Sequence, residues 1–449
     1  MASAAEQLAS SINFGAFSKA TELKSRIWFT LGALVVYRLG TYIPIPGIDP
    51  AILQDIFKHN AGGILGMFDM FSGGALGRMS IFALNIMPYI SASIIIQLLT
   101  AVSPQLEALK KEGESGRKKI NQYTRYGTVL LAAVQAYGIG VGLEGMHAAG
   151  AESAVIVPGL FFRLVTMVTL CGGTVFLMWL GEQITARGVG NGISLIIFAG
   201  IVANLPHALA ATLELGRTGT LSPIVILLFL AMSIGVVAFI VFMERAQRRI
   251  LVQYPKRQVG NRMFGGEASH LPLKINTSGV IPPIFASSLL LLPATISSFE
   301  QNGQSFGWLG TIAGFLAHGR PAYMILYISL IVFFCFFYTA IVFNPTETAD
   351  NLRKYGGFIP GIRPGKNTAD YLDYVLTRLT VVGAAYLAAV CILPEILISQ
   401  YSVPFYFGGT SLLIVVSVTM DTVAQIHSHL LAHQYEGLIK KARLRGRRG

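Results

Sequence analysis

The residue types that usually carry chemistry are scarce in this chain, and the few present lack partners at a useful spacing. Ser194, in GIS (192–194), has neither the following glycine of a nucleophile elbow nor an evident histidine partner. Residues 113–119 (GESGRKK) resemble a phosphate loop superficially, without its spacing or its strand–helix context. His427, His429 and His433 offer two imidazoles at i, i+4, but in a basic tail a solvated amphipathic helix accounts for them better. No HExxH occurs and no pair of aspartates lies in an apolar segment. Cys171, Cys335 and Cys391 each sit among apolar residues, where small thiols pack, so neither a disulfide framework nor a metal site is expected. The expectation is no catalytic residue, no metal and no cofactor.

Function must then reside in the elements that surround these residues, and the charge pattern marks them out. Residues 79–106, 188–213, 218–243, 275–299, 321–346 and 396–420 contain no Asp, Glu, Lys or Arg. Each can cross a hydrocarbon core of about 30 Å, which takes roughly 20 apolar residues as a helix. Shorter windows at 126–143, 164–181 and 379–394 also suffice, and residues 27–43, interrupted only by Arg38, make a tenth. Hydrophobic residues make up 53% of the chain and charged ones 12%, against about 25% charged in soluble proteins. Mean hydropathy is +0.60. Backbone groups in lipid must be satisfied internally, which selects helices, and the alternating polarity of a membrane barrel is absent. The predicted fold is an all-α polytopic membrane protein with spans near 27–43, 80–102, 123–143, 160–180, 189–211, 221–243, 277–298, 321–343, 376–397 and 404–425.

Orientation follows from the basic residues. Of the 34 lysines and arginines, 28 fall in segments that would share one side: Lys19 to Arg26, Lys110 to Arg125, Arg187, Arg245 to Lys274, Arg353 to Arg378 and Lys440 to Arg448. The positive-inside rule makes that side cytoplasmic and puts both termini there, which an even number of spans requires. The N-terminus has no apolar region before Ile27 and reads as no cleavable signal peptide, while Glu6 and Glu22 argue against a transit peptide. Five spans lie on each side of the polar link 212–220, and halves with an odd span count would be inverted repeats, which usually build a path at their interface.

Ion-coupled transporters place ionisable groups near the bilayer midplane, where each costs about 2.5–3.5 kcal/mol on insertion scales. Here the middle of every span but the first lacks them, and Arg38 and Arg163 lie toward outer ends, where long stems can snorkel to headgroups. Isoleucines instead recur at helical spacing: Ile86 with Ile90, and Ile193 with Ile197. Such stripes serve packing or lipid contact, or else a hydrophobic constriction that blocks ions by dewetting. Pro88, Pro282-Pro283 and Pro394 punctuate spans, the first three as expected interruptions of the helical ladder. Ser91, Ser93 and Gln97 on the second span, with Asn276 and Thr277 at the start of the seventh, could bond across a helix pair. Residues 44–79 form a long outer link. Its part from Gly62 to Gly77 is apolar, glycine-rich, broken by Asp69 and too short to span. It reads equally as a re-entrant element in a cavity or as an interfacial loop. The long connections 244–276 and 344–375 are basic, suiting anionic lipid, a large acidic partner or ribosomal RNA phosphates.

Several long stretches carry a resemblance: GMFDMFSGGALGRMSIFALNIMPYISASIIIQLL, MWLGEQITARGVGNGISLIIFAGIV, LPLKINTSGVIPPIFASSLLLLPATI and ADNLRKYGGFIPGIRPGKNTADYL. From about Leu23 to Tyr435 the chain resembles the SecY family of protein-translocation channels. The resemblance implies ten transmembrane helices in two pseudo-symmetric five-helix halves around a central pore, with a short re-entrant plug helix. It divides the chain into a cytoplasmic segment 1–26, a first half 27–211 with plug 62–78, a second half 212–425 with loops 244–276 and 344–375, and a basic tail 426–449. It implies a passive channel in the bacterial plasma membrane, passing unfolded preproteins across and membrane segments sideways through a lateral gate.

By family position the pore ring is Ile86, Ile90, Ile193, Ile197, Ile284 and Ile414, and the plug includes Gly66, Met67, Phe68, Asp69, Phe71, Gly73 and Gly74. The lateral gate takes Ser91, Gln97, Asn276 and Thr277. Arg245, Arg248, Arg249, Lys256, Arg257 and above all Arg363 would dock the SecA ATPase or the ribosome. Implied partners also include the SecE and SecG subunits, polypeptides bearing signal sequences, and anionic lipids. A solute transporter, predicting saturable ion-coupled uptake, and an intramembrane hydrolase built on Ser194 are the competing readings, and neither has motif support.

Overall fold

The computed structural model describes residues 21–53, 69, 72–144, 153–218, 222–255, 257–259, 262–264, 268–298, 321–401 and 409–445. Within them a helix lies over each of the ten predicted spans. These are α1 (Thr21–Gly40), α2 (Met87–Val102), α4 (Glu114–Glu144), α5 (Leu160–Arg187), α6 (Gly192–Arg217), α7 (Pro223–Arg245), α8 (Ile281–Ser298), α9 (Pro321–Val342), α11 (Lys366–Tyr401) and α12 (Gly409–Arg445). Two short helices, α3 (Pro104–Lys111) and α10 (Pro345–Lys354), lie between spans. Among the described residues, seven helices are individually long and apolar enough to cross a membrane. An eighth passes only as α2 with α3, bent by 98° at their junction. The bend has a local cause: Ser103 precedes Pro104, which drives it to extended backbone (φ −91°, ψ 119°) and ends α2. α1 carries Glu22, Lys24, Arg26 and Arg38, so its apolar run is broken.

Prolines behave differently from expectation. α2 begins at Met87 and α8 at Ile281, so Pro88 and Pro282-Pro283 occupy first turns, where a missing N–H has no intrahelical partner to lose. They start helices rather than interrupt them. Pro206, Pro293 and Pro394 lie inside helices.

The chain divides into two compact units: Met1–Pro206 with Thr295–Ser305 and Val418–Gly449, and His207–Ala294 with Phe306–Ser417. One division falls at Pro206, inside α6, where the ladder lacks a donor. In the first unit Thr124, Thr128, Ala132, Ala136 and Gly140 of α4 are all buried, and Gly140 lies against Arg163 and Thr166 of α5, where a small residue lets the helices come close by van der Waals packing. Arg125 grips the Glu182 carboxylate at one end of the pair, with Nε to Oε1 at 3.1 Å and Nη2 to Oε2 at 2.6 Å. At the other end Arg163 donates twice to Glu144 Oε2, at 2.9 and 2.6 Å, while Glu144 Oε1 accepts the Gly159 N–H. Arg163 therefore pairs within the protein instead of snorkelling. Around this pair Ile45, Leu53, Met79, Leu84, Phe162 and Leu170 form one buried cluster.

Gly173 on α5 permits a close approach of the link before α2, because a Cβ there would overlap the Ile81 carbonyl oxygen, which is backbone and cannot swing away. Gly173→Ala is expected to cost about 1–3 kcal/mol, as overpacking of a tight core does. A lowered thermal midpoint of the purified complex in detergent checks this, and an unchanged midpoint would show that the α5 contact yields.

Candidate functional site

Residues 72–86 leave the helical pattern, and their backbone groups are satisfied partly by short backbone turns and partly by side chains. Of the predicted plug residues, Gly66, Met67, Phe68 and Phe71 lie outside the described residues, while Asp69, Gly73 and Gly74 fall within them. Asp69 acts as a staple: Oδ1 accepts the Gly77 N–H at 2.6 Å, and its carbonyl accepts the Gly74 N–H at 2.8 Å and the Ser72 hydroxyl at 3.0 Å. Gly73 and Gly74 adopt left-handed backbone (φ +68° and +81°), open to glycine without steric cost. The Gly73 carbonyl receives two guanidinium groups, Arg38 Nη1 at 3.0 Å and Arg78 Nη2 at 3.1 Å. Both cations also lie over the Tyr42 ring, with Arg78 4.3 Å and Arg38 5.6 Å from its centroid. Tyr37, fully buried, donates its hydroxyl to the Ser72 carbonyl at 3.3 Å. Arg38 thus turns inward onto a carbonyl rather than outward to headgroups. Sequence reasoning missed Arg38 and Arg78 as site residues; the available signal was two outer-side arginines flanking a glycine-rich link.

Beyond this root the chain winds through two further left-handed residues, Met79 (φ 44°) and Asn85 (φ 50°), neither of them glycine. That winding delays α2 to Met87, seven residues after the predicted start of the span.

The predicted collar residues divide between the units. Ile86, at the N-cap of α2, and Ile90 are 1% and 6% exposed, and the Ile90 N–H bonds the Ile86 carbonyl at 3.1 Å. Ile193 and Ile197 share the first turns of α6; Ile197 is buried, Ile193 half-buried and placed beside Gly181 of α5. In the second unit Ile414 on α12 is buried and Ile284 on α8 half-buried.

The polar residues predicted for a gate are also described. Ser91 is buried, and Gln97 donates through Nε2 to Ser93 at 3.2 Å while its Oε1 is buried without a partner among the described residues. Asn276 is buried within the second unit, donating through Nδ2 to Glu244 Oε1 at 2.6 Å and to the Gly279 carbonyl at 3.1 Å. Its Oδ1 accepts the Ser278 hydroxyl, and Thr277 caps the Lys274 carbonyl at 3.0 Å. Glu244, at the end of α7, is a residue that sequence reasoning passed over.

The two long basic connections form one folded body rather than open loops. Residues 247–274 make an antiparallel pair, β1 (Gln247–Gln253) with β4 (Ala268–Lys274), and a second short pair, β2 (Arg257–Val259) with β3 (Arg262–Phe264). Ile250, Val252 and Leu273 face a buried cluster with Ile359, Leu372 and Val375 from the second connection and α11. Gln253 and Phe358 exchange both backbone bonds at 2.9 Å, clipping the connections together. Asn344 caps α10, accepting the N–H groups of Thr346 and Glu347. Arg245, Arg248, Arg249 and Arg363 all project from this body exposed. Lys256 and the Arg257 side chain lie outside the described residues.

These features define a class: a mostly helical, multi-span membrane protein, rather than the all-α chain expected, with a pinned non-helical link and a folded basic platform built on two strand pairs. Solved structures share the fold. A SecY protein whose plug domain is described as stabilising the closed channel superposes with a TM-score of 0.66 at 20% identity, covering 91% of this chain and 92% of that one. The channel of the canine ribosome–channel complex from the endoplasmic reticulum gives 0.60 at 19% identity, with the same coverage. A sequence profile of the SecY family matches residues 80–423. The protein translocase subunit SecY of Escherichia coli is 58% identical over 425 residues, covering 95% of this chain and 96% of that protein. The chain belongs to the SecY family.

Replacing both Arg38 and Arg78 by Gln leaves the Gly73 carbonyl without its charged donors, each charge-assisted bond being worth about 1.5–3 kcal/mol before solvent screening. Amide exchange across residues 72–79 is expected to accelerate at least about tenfold in the double variant, with α4 and α5 unchanged. Exchange at the native rate would show that the two guanidinium groups do not hold this link.

Proposed function

We propose that the chain forms the channel of a protein translocase in a bacterial plasma membrane, with both termini cytoplasmic. The observation that carries this reading is the 58% identity to a translocase SecY subunit over nearly the whole of both chains. The chain is a channel subunit and not an enzyme.

Mechanism follows from the residues. Ile86, Ile90, Ile193, Ile197, Ile284 and Ile414 form a ring of branched apolar side chains at the constriction, supplied by both five-helix halves, 27–211 and 212–425. Such a ring excludes ions because a narrow apolar passage dewets, yet flexible aliphatic side chains part around a polypeptide. Residues 62–78 plug the outer side, and the Arg38–Arg78 hold on Gly73 gives that plug a fixed root. Membrane segments leave sideways between the second and third spans and the seventh and eighth. Ser91 and Gln97 supply that gate's polar side chains on the second span. On the second unit's side, Glu244 holds Asn276 in place and Thr277 sits beside it. Arg245, Arg248, Arg249, Lys256, Arg257 and Arg363 receive the SecA ATPase or the ribosome, and binding there falls with salt. The canine relative in its ribosome complex supports that second partner. SecE and SecG complete the channel, anionic lipids neutralise the remaining cytoplasmic charge, and signal-sequence-bearing polypeptides are the clients. Nothing in the sequence resembles a complete nucleotide site, so the driving energy comes from the partner.

Ile90→Ser, and more so the double change with Ile197→Ser, is expected to wet the constriction and raise resting ion conductance in planar bilayers about tenfold or more. Conductance equal to the unsubstituted channel would contradict the collar.

A further inference from the structure

Among the described residues, β1 is hydrogen-bonded along one edge and open along most of the other. In an antiparallel pair, alternate residues aim N–H and C=O at the partner strand while those between aim them away. Gln253 sends both groups to Phe358, so it faces away from β4, and Leu251, Arg249 and Gln247 share its direction. The Ile275 N–H bonds the Ala246 carbonyl at 3.1 Å, which agrees that even-numbered residues face β4. The cover that Phe358 provides ends at once. Continuing antiparallel, the residue opposite Leu251 is Pro360, which has no N–H to give. Among the described residues no other backbone bond reaches Gln247, Arg249 or Leu251, and all three are exposed.

Exposed strand edges invite pairing, and proteins usually blunt them with charge, proline or a bulge. This edge carries charge of one sign. β1 and β4 contain Arg248, Arg249 and Lys274 and no acidic residue, with Arg245 just before them. A second copy of the same strand would be repelled, whereas an acidic chain would be drawn in. The outward face beside the edge presents Arg249, the exposed apolar Leu251 and, opposite it on β4, His270. Hydrogen bonds along a backbone edge suit an extended peptide rather than nucleic acid, since successive N–H and C=O groups match those of another strand.

We propose that the open edge of β1, Gln247 to Leu251, takes an extended acidic segment of the SecA motor by strand addition. The inference rests on the docking reading above and adds its binding mode. Side-chain charge at Arg248 and Arg249 steers the motor, and main-chain bonds from Arg249 and Leu251 fix its register.

The ladder alternation supplies a clean test, because proline at 249 or 251 removes an outward N–H without touching a bond to β4. In the complete complex in proteoliposomes, Arg249→Pro and Leu251→Pro are expected to weaken SecA binding about tenfold beyond Arg249→Ala and Leu251→Ala. Hydrogen exchange on the unsubstituted complex tests the same point without a mutation. SecA should protect the Arg249 and Leu251 amides about tenfold or more while leaving Ile250 and Val252, already in the ladder, unchanged. Arg363→Glu serves as the reference arm. If that variant loses SecA while proline and alanine behave alike and no amide gains protection, docking stands and strand addition is overturned. If Arg363→Glu also binds SecA normally, the docking reading itself falls. Protection that appears with ribosomes and not with SecA overturns the stated occupant.

Discussion

A backbone carbonyl or amide in a membrane must find a partner within the protein, and that requirement organises this molecule. Ten segments meet it with their own helical ladders. One segment does not. Between Ser72 and Ile86 the chain turns through Gly73, Gly74, Met79 and Asn85, all left-handed, and no continuous helical ladder forms. Its polar groups are instead met by short backbone turns, by the pairing of Ile81 with the Ile43 carbonyl and of Ile45 with the Met79 carbonyl, and by side chains: Asp69 for Gly77, Tyr37 for Ser72, and Arg38 with Arg78 for Gly73. Side chains that sequence patterning would send toward headgroups are spent on carbonyls. A link held by short turns and a few side-chain bonds opens at lower cost than a long helix.

The same economy of partners shapes the cytoplasmic side. The connections between α7 and α8 and between α9 and α11 are polar enough to remain open loops, yet a small apolar cluster and one backbone clip at Gln253 and Phe358 make them one body. Its exposed arginines are therefore carried on a rigid base, so a partner that grips them loses little ordering entropy on the channel side. Glu244 and Asn276 anchor the start of α8 to the end of α7. A load applied to the platform through β1 thus meets the root of α7 directly, because Arg245 and Gln247 are separated by one residue.

How much was legible in sequence depends on the range of the interaction that decides each feature. The spans are set by lipid, which acts on every residue alike, so apolar runs with little or no charge located helices. Of these, seven, or eight with the bent pair, are long and apolar enough to cross a membrane among the described residues. The late start of α2 was not legible, because Met79 and Asn85 are not the residues that announce left-handed backbone. β1 was hidden for a similar reason: only Ile250 and Val252 of its seven residues are buried, too short an alternation to stand out among arginines. Partner choice across distance was illegible too. Arg38 meets Gly73, and Asn276 meets Glu244, through folds that no local pattern encodes. The isoleucines were visible at i, i+4 but ambiguous between packing and a pore. Their separation came from family resemblance, and the burial of Ile86 and Ile90 is compatible with either use.

The account stands or falls on whether a polypeptide passes the isoleucine ring. The direct measurement is site-specific photocrosslinking from position 284 to a stalled secretory chain in native membranes. The account predicts a crosslink that requires the signal sequence. An intact complex with the stalled chain engaged and no crosslink from position 284 would contradict it.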